Sequence, residues 1–350
     1  MNRTNGKKRT DQIDISELNL ANIRNRTFKL SQAIVRTPTV KATSSLIDKL
    51  LDGGELYLKL ECLQHSGSFK ARGALSVIHS IPSDKKPAGI TAASAGNHAI
   101  AAAWAARISG LSAKVVMQST ANRFRIELAK TEHAEVIIKE PGKATFLEAE
   151  RLSLDEGRTF VHPFEGINTT LGTAGVGFEF IQDAPELEAV IVSVGGGGLI
   201  SGVASAIKLI NPNCQVYGVE PVGADAMSQS LKLGSTMTLD KIDTIADSLS
   251  PPMTLPFGYT VCNAFVDDMV TVTDDEICIG MVHFQQELKL AVEPAAAASL
   301  AALTGPLLSQ LRGKKIGIVV CGANIDALTY FHYLKRGLHA LKNNTILTKR

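Results

Sequence analysis

The sequence predicts an α/β fold with mostly parallel sheets that are covered by helices on both faces. Short, unbroken apolar runs recur along the chain, bounded by Gly, Pro or Asn, and such runs are typical of parallel strands buried on both faces. Longer helical segments lie between them, and this alternation favours parallel sheets between layers of helices. Small residues follow two of the strands. Because ligands of open α/β sheets lie beyond the carboxyl ends of strands, we expect a binding site there.

Strand and helix alternate through most of the chain. Strands are predicted at residues 56–60, 114–117, 135–138, 188–194, 215–219 and 315–320, with a short apolar lead into a turn at 89–93. Helices are predicted over the alanine-rich stretch 99–109 and over 123–130. We expect residues 1–30 to form a polar lead-in and residues 341–350 a basic tail. No low-complexity linker or fixed-period repeat separates these elements.

The composition indicates a globular protein that buries a core. The 350 residues are 45% hydrophobic and 20% charged, and the net charge of +2 gives no sign of a nucleic-acid or membrane partner. The basic, polar start is not a secretory signal, and no apolar run is long enough to span a bilayer. The five cysteines lie far apart without CxxC spacing, which indicates neither a disulfide framework nor a zinc site. We expect a reduced, cytoplasmic protein.

Four consecutive glycines follow the predicted strand 188–194 and precede a helical stretch. Glycines allow a ligand to approach the backbone, and the free N–H groups at the start of a helix bind phosphate. Gly196, Gly198 and the acidic Glu220 imitate a dinucleotide fingerprint, but Ser201 occupies the position of its third glycine. A monophosphate held by this loop alone therefore explains the sequence better.

Three further stretches place polar or reactive side chains among small residues. Lys70 lies within SFKARGA, and burial there would release its proton and make it an amine nucleophile or base. In SAGNH, at residues 94–98, Ser94 can cap the following helix, and Asn97 and His98 can donate to a carboxylate. Cys321 follows the strand predicted at 315–320, where a small core residue is also common.

The order and spacing of these motifs resemble the fold type II pyridoxal-phosphate enzymes over about residues 35–338. SFKARGA, SAGNH, GGGGL and CGANID are most similar to the motifs of the threonine dehydratase and serine racemase branch. The resemblance implies two three-layer α/β domains of the tryptophan synthase β type, with the cofactor in the cleft between them. The large domain would comprise residues 31–79 and 167–340, and a small mobile domain residues 80–166.

The resemblance also implies a role for each motif. Lys70 would carry pyridoxal 5'-phosphate as a Schiff base, Phe69 would cover one face of its ring, and Asn97 would contact the ring hydroxyl. Cys321 would face the ring nitrogen. The phosphate would be held by Gly195, Gly196, Gly197, Gly198 and Leu199. The substrate carboxylate would be received by Ser94, Ala95, Gly96, Asn97 and His98.

The chain departs from the family pattern at three places. Cys321 is a weaker hydrogen-bond donor than the serine or threonine that is common there. The usual GQGT stretch reads GTAG, with Thr173 in second place. Relatives that bind a cation have a second acid near Glu220, where this chain has Ala226. We therefore assign no metal.

The activity that the resemblance implies is dehydration and deamination of L-threonine, and also of L-serine, to a 2-oxo acid and ammonia. We expect a homo-oligomer, either a dimer or a tetramer. Serine racemase or hydroxyaspartate dehydratase is the alternative within enzymes. Ala95 argues against racemisation, because the racemase relatives have a serine there that can carry a proton. A non-catalytic amino-acid-binding module is the alternative from another class, and the intact Lys70 argues against it.

Overall fold

The computed structural model describes residues 13–347, with side chains described through residue 343. Its strands, in chain order, are β1 (Thr39–Ala42), β2 (Glu55–Lys59), β3 (Ile90–Ala93), β4 (Ala113–Gln118), β5 (Glu135–Lys139), β6 (Thr159–Phe160), β7 (Ala189–Ser193), β8 (Gln215–Pro221), β9 (Asp268–Val272) and β10 (Lys315–Val319).

The helices of this range, again in chain order, are α1 (Leu20–Leu30), α2 (Ser45–Leu51), α3 (Lys70–His79), α4 (Asn97–Ile108), α5 (Arg123–Thr131), α6 (Lys143–Glu156), α7 (Ile167–Asp183), α8 (Gly198–Ile210), α9 (Ala226–Leu233), α10 (Pro256–Phe265), α11 (Asp274–Gln286), α12 (Pro294–Thr304), α13 (Leu308–Leu311) and α14 (Ala327–Leu347).

The strands form two sheets. The larger sheet has the order β1-β2-β10-β7-β8-β9 and the smaller one β5-β4-β3-β6. All neighbours pair in parallel except β1 and β2, which are antiparallel. The predicted α/β class with mostly parallel sheets is therefore confirmed. The domain limits of 31–79 with 167–340 and of 80–166 stay a prediction.

The core of the larger sheet explains the apolar runs of the sequence. All five residues of β7 are buried, because this strand lies between β10 and β8 and is packed by α8 and α12. β10 lies between β2 and β7, and four of its five residues are buried. Central parallel strands lose both faces to helices, so their sequences show no polar alternation.

The later part of the polar lead-in expected over residues 1–30 is a helix. Residues 20–30 form α1, which packs against α7 and buries Ile23 and Leu30 almost completely. The side chain of Asn19 caps this helix by accepting from the backbone N–H of Asn22. These buried positions are few among many polar residues, and Arg26 of the same helix adds hydrogen bonds to Ser76 and Asn168, so the composition of α1 hides it. Residues 1–12 lie outside the described range.

The expected basic tail over residues 341–350 also begins as helix. Residues 341–347 are the last turns of α14, which packs along α11. Gly337 makes this close approach feasible, because a Cβ there would lie 2.3 Å from the backbone oxygen of Cys278. Lys342, the one basic residue of 341–347, therefore belongs to a packed helix. Residues 348–350 lie outside the described range.

A buried network of four charged side chains joins β2, α3 and α7. The guanidinium of Arg72 donates to both carboxylate oxygens of Glu61, at 2.8 and 2.9 Å, and to both of Glu179, at 2.8 Å each. Lys59 adds a contact of 2.9 Å to Glu179. None of the four is more than 3% exposed. Because Arg72 lies in the first turn of α3, the network fixes the position at which this helix begins.

We expect Arg72→Met to lower the free energy of unfolding by about 3–5 kcal/mol, because it leaves two buried carboxylates with one lysine. The control is Arg151→Met on α6, where an arginine that is half exposed pairs with Glu148 and Asp155 and should contribute about 0–1 kcal/mol. Urea unfolding of both variants measures the difference. Equal losses in the two variants would contradict a structural role for the network.

Candidate active site

A cavity lies where the carboxyl ends of β7 and β10 meet the starts of α3 and α4. Residues that the sequence assigns to a cofactor line it: Phe69, Lys70, Asn97, Gly195, Gly196, Gly197, Gly198, Leu199 and Cys321. Further lining residues, which the sequence did not single out, include Phe164, Ser193 and Glu293. The structure thus brings together motifs that are far apart in the chain. Their individual roles toward a cofactor stay a prediction.

The SAGNH run contributes Asn97 to this cavity, whereas Ser94, Ala95 and Gly96 are not among its lining residues. The expectation that Ser94 caps α4 is wrong. Gly96 is the N-cap residue of α4, and the hydroxyl of Ser94 accepts from the backbone N–H of Gly96 at 3.1 Å. Gly96 also lies against Arg125, since a Cβ there would be 2.9 Å from the guanidinium.

His98 is buried and lines a smaller cavity that also touches Lys70 and Phe69. Its Nε2 lies 2.7 Å from the backbone oxygen of Val161. Because that oxygen can only accept, Nε2 carries a proton and donates it within the protein. Burial lowers the pKa of His98 to about 3, so the ring is neutral. This nitrogen is therefore not available to a substrate carboxylate, although the sequence had suggested that role for His98.

Lys70 begins α3 with its amine inside the protein. Its Nζ donates to the backbone oxygen of Pro163 at 2.6 Å and lies 5.0 Å from the centre of the Phe69 ring. Burial lowers the pKa of Lys70 to about 8, partly opposed by interaction with Cys321 and Glu293. A larger fraction of this amine is therefore uncharged near neutral pH than of a surface lysine, as a nucleophile or base requires.

The four-glycine loop leads from β7 into α8. Gly197 has φ of +87°, a conformation that favours glycine. Cβ atoms at Gly196 and Gly198 would lie 2.3 and 2.7 Å from atoms of Phe164, so Phe164 packs directly on the loop. No side chain caps α8, which leaves its first N–H groups for an anion. Thr173 supports the loop from α7 by donating to the backbone oxygen of Gly198 at 2.7 Å.

Glu220 caps α9. Its carboxylate accepts from the backbone N–H groups of Met227 and Ser228 at 2.9 and 2.8 Å, and from the Ser228 hydroxyl at 2.5 Å. Carboxylates at helix N-termini are stabilised by these free N–H groups. Both oxygens of Glu220 are thus engaged in holding a helix.

Two charged residues of the site were missed from the sequence. Glu293 lines the cavity, and its Oε1 accepts from Nδ2 of Asn97 at 2.6 Å. Arg125, at the start of α5, donates to Asp247 at 2.6 Å and reaches Glu293 at 3.4 Å. Glu293 directly precedes Pro294 and the alanine-rich α12. A helix start of this kind could have drawn attention to Glu293, but no local pattern singles out Arg125.

Comparison with known proteins identifies the class. The chain belongs to the family of pyridoxal-phosphate dependent enzymes, whose model matches residues 30–322. It is 44% identical over 327 residues to phenylserine dehydratase of Ralstonia pickettii, covering 93% of this chain and 99% of that protein. It is 36% identical over 301 residues to L-threonine ammonia-lyase of Thermotoga maritima, covering 86% and 74% respectively. The structure of maize serine racemase superposes with a TM-score of 0.84 at 33% identity, covering 91% of this chain and 98% of that one.

The predicted family and cofactor are therefore confirmed, and the residues of the cavity fit pyridoxal 5'-phosphate. The hydroxyl of Ser193 is buried at the cavity wall without a hydrogen-bond partner, a state that a polar ligand atom relieves. The uncapped start of α8 suits the phosphate, and the buried amine of Lys70 suits the aldehyde. Burial raises the pKa of the Cys321 thiol well above its usual range, so this side chain is neutral where a ring would lie.

We expect borohydride to fix the cofactor to Lys70, and Lys70→Ala to lose the absorbance band of covalently bound cofactor. The uncharged amine is the reactive form, and its pKa is lowered to about 8. The rate of covalent loading of the cofactor-free protein should therefore rise with pH and reach half its maximum near pH 8. Stopped-flow absorbance measures this rate, and peptide mass spectrometry locates the adduct. An adduct on a different lysine would disprove the assignment.

Gly197→Val should weaken cofactor binding. Valine at φ of +87° is strained, and its Cβ would also lie 2.8 Å from the end of the Met227 side chain, so the loop or that side chain must shift. The control is Gly110→Val, which is also at positive φ, +70°, but has open space around it and lies in a turn after α4. Titration of both cofactor-free variants with pyridoxal 5'-phosphate should show a loss of affinity for Gly197→Val alone. Wild-type affinity in Gly197→Val would mean that the loop is only a turn.

Proposed function

We propose that the protein dehydrates and deaminates 3-hydroxy-2-amino acids, and that Lys70 is the base. One observation carries this proposal: of the described residues lining the two cavities, Lys70 is the one amine, and its pKa is lowered to about 8. The bound cofactor supplies the electron withdrawal that weakens the bond from the α carbon to its proton. Lys70, once displaced by the substrate amine, takes up that proton. The α proton and the β-hydroxyl are lost together as water, and the released enamine reacts with water to give a 2-oxo acid and ammonia.

The neighbouring groups support elimination over racemisation, which needs a second group to return a proton from the opposite face. Nδ1 of His162 accepts from the backbone N–H groups of Phe164 and Glu165 at 3.2 and 3.0 Å, and burial lowers the pKa of His162 to about 4. His162 is therefore neutral, with its proton on Nε2, and a neutral imidazole is a poor acid for returning a proton. Glu293 has both carboxylate oxygens engaged by Asn97 and Arg125.

The neutral thiol of Cys321 supports the same conclusion. An acidic partner would keep the ring nitrogen of the cofactor protonated and would favour a long-lived carbanion. A neutral thiol gives no such support, so the electrons are better removed with a leaving group. Ala95, whose methyl group carries no exchangeable proton, adds to this preference.

A row of aromatic rings bears on the substrate side chain. This aromatic row consists of Phe146, Phe160, His162 and Phe164, with ring centres 6.2 Å apart for Phe146–Phe160, 5.7 Å for Phe160–His162 and 4.7 Å for His162–Phe164. Phe164 lines the main cavity and His162 the smaller one beside Lys70. Phe146, at the outer end, is 36% exposed. Aromatic faces and edges of this kind pack favourably against an aryl group.

L-Threonine and L-serine are the substrates expected from the sequence. The aromatic row, together with 44% identity to a phenylserine dehydratase, favours a larger side chain. We therefore propose that a 3-aryl-3-hydroxy amino acid such as 3-phenylserine is the preferred substrate.

We also propose a cytoplasmic homo-oligomer. The five free thiols support a reducing compartment, and symmetric oligomers are common among soluble enzymes. Within residues 13–347 there is no helix that is long and apolar enough to cross a membrane.

A substrate screen tests this function. We expect the purified holoenzyme to release 2-oxo acid from 3-phenylserine with a higher kcat/KM than from L-threonine or L-serine. Phe146→Ala should lower kcat/KM for 3-phenylserine, because Phe146 supports the ring of His162 in the smaller cavity, with ring centres 6.1 Å apart, and should leave that for L-threonine unchanged. Phe28→Ala is the control, because Phe28 is an exposed phenylalanine of α1 that does not belong to the aromatic row.

Two results would contradict the proposal. Substantial conversion of L-serine to D-serine would show that the enzyme racemises. Equal losses for 3-phenylserine and L-threonine in Phe146→Ala would remove the aromatic row from substrate selection.

A further inference from the structure

The amide of Asn97 is held at both of its ends. Its Nδ2 donates to Oε1 of Glu293 at 2.6 Å, and its Oδ1 accepts from Nδ2 of Asn324 at 2.7 Å. Asn97 is only 4% exposed and lines the main cavity. The two contacts leave one N–H of Asn97 without a partner among residues 13–347.

The hydrogen-bond partners determine which terminal atom of the Asn97 and Asn324 amides is nitrogen and which is oxygen. Asn324 also donates from Nδ2 to the backbone oxygen of Ser66 at 2.7 Å, and a carbonyl oxygen can only accept, so Nδ2 of Asn324 must face that side. The atom of Asn97 that meets Asn324 is therefore its oxygen. The nitrogen of Asn97 consequently faces Glu293, which accepts.

Arg125 holds both partners of Asn97. Its Nε donates to the backbone oxygen of Asn324 at 2.8 Å, and its Nη2 reaches Oε2 of Glu293 at 3.4 Å. A third contact, from Nη1 to Asp247, measures 2.6 Å. Arg125 follows β4 of the smaller sheet, whereas its three partners belong to chain segments that follow β8, β9 or β10 of the larger one. The arrangement therefore joins segments of the two sheets directly beside the cavity.

Glu293 is suited to this position because it accepts hydrogen bonds on both sides. Glutamine has one acceptor oxygen, so its NH₂ group would face either Asn97 or Arg125, both of which donate there. Burial raises the pKa of Glu293 to about 7, and the positive charge of Arg125 opposes this rise. Arg125 thus favours the ionised form that accepts from both neighbours.

We propose that Glu293 is a positioning residue for the cofactor: anchored by Arg125, it fixes the amide of Asn97 so that the free N–H of Asn97 is presented to the ring hydroxyl oxygen. The proposal rests on the placement of that oxygen against Asn97. Glu293 acts through Asn97, and Arg125 acts through Glu293 and Asn324.

A double-mutant cycle tests this coupling. Apparent affinity for pyridoxal 5'-phosphate and the absorbance maximum of the bound cofactor are measured for Glu293→Gln, Asn97→Ala and the double variant. Each single change should weaken binding about tenfold, the size of one hydrogen bond to a charged group, and should shift the absorbance maximum. The double variant should bind no more weakly than Asn97→Ala, because the effect of Glu293 requires Asn97.

Glu220→Gln is the matched control, since Glu220 is also a buried acid whose burial raises its pKa to about 7, but it binds α9 instead of Asn97. Its cofactor affinity and absorbance maximum should equal those of the wild type. If Glu293→Gln does not fold, Arg125→Lys replaces it in the cycle. Lysine keeps the charge but cannot contact Glu293, Asn324 and Asp247 together, and the same non-additivity is expected.

The outcomes separate the two proposals. Wild-type affinity and absorbance in Asn97→Ala would refute the placement of the cofactor against Asn97. A clear effect of Asn97→Ala with independent, multiplicative losses in the double variant would overturn the positioning role of Glu293 and leave that placement intact. Equal losses in Glu220→Gln and Glu293→Gln would overturn it as well, because removal of any buried charge would then suffice.

Discussion

The buried guanidinium of Arg72 is the constraint on which the site depends. It joins two carboxylates that belong to different elements, Glu61 after β2 and Glu179 in α7, and so holds the first turn of α3 between them. Burial of an arginine is costly unless every donor is satisfied, and here each carboxylate is bound in a bidentate manner. Gly172 allows α7 to approach closely, because a Cβ there would lie 2.5 Å from the backbone oxygen of Arg72. Lys70, two residues earlier, is placed by the same contacts.

The position of Lys70 in turn organises the segment between β6 and α7. Pro163 of this segment accepts the hydrogen bond of the Lys70 amine, and Phe164, the next residue, packs on Gly196 and Gly198. One short stretch therefore contacts both the amine and the glycine loop that suits the phosphate. A displacement of Phe164 would disturb the loop, and a displacement of Pro163 would disturb the amine. Pro163 and Phe164, which are consecutive, therefore link the position of the Lys70 amine to that of the glycine loop.

Local patterns in the sequence predicted the central strands well, missed β1, β6 and β9 at the sheet edges, and predicted the charged contacts poorly. The strands near residues 188–194 and 315–320 were predicted to within a few residues, because burial on both faces produces unbroken apolar runs. The start of α4 was predicted less well, because Gly96 replaces the expected serine cap and leaves no side-chain signal. Arg125 and Glu293 are far apart in the chain, so their contact exists only in the folded protein. Polar faces on α1 and α14 hid the few buried positions that hold those helices.

The electrostatics of the cavity fit the proposed elimination. Burial lowers the pKa of Lys70 and His162 and raises that of Cys321, so desolvation shifts each of these three groups toward its uncharged form. Burial also raises the pKa of Glu293 to about 7, and the positive charge of Arg125 partly opposes this rise. Such a site offers a neutral amine to take up a proton and no acidic partner for the ring nitrogen. Electrons freed at the α carbon are then stabilised less by the ring than by departure with the hydroxyl group. The same burial that favours the neutral amine of Lys70 therefore also favours loss of the β-substituent over return of the proton.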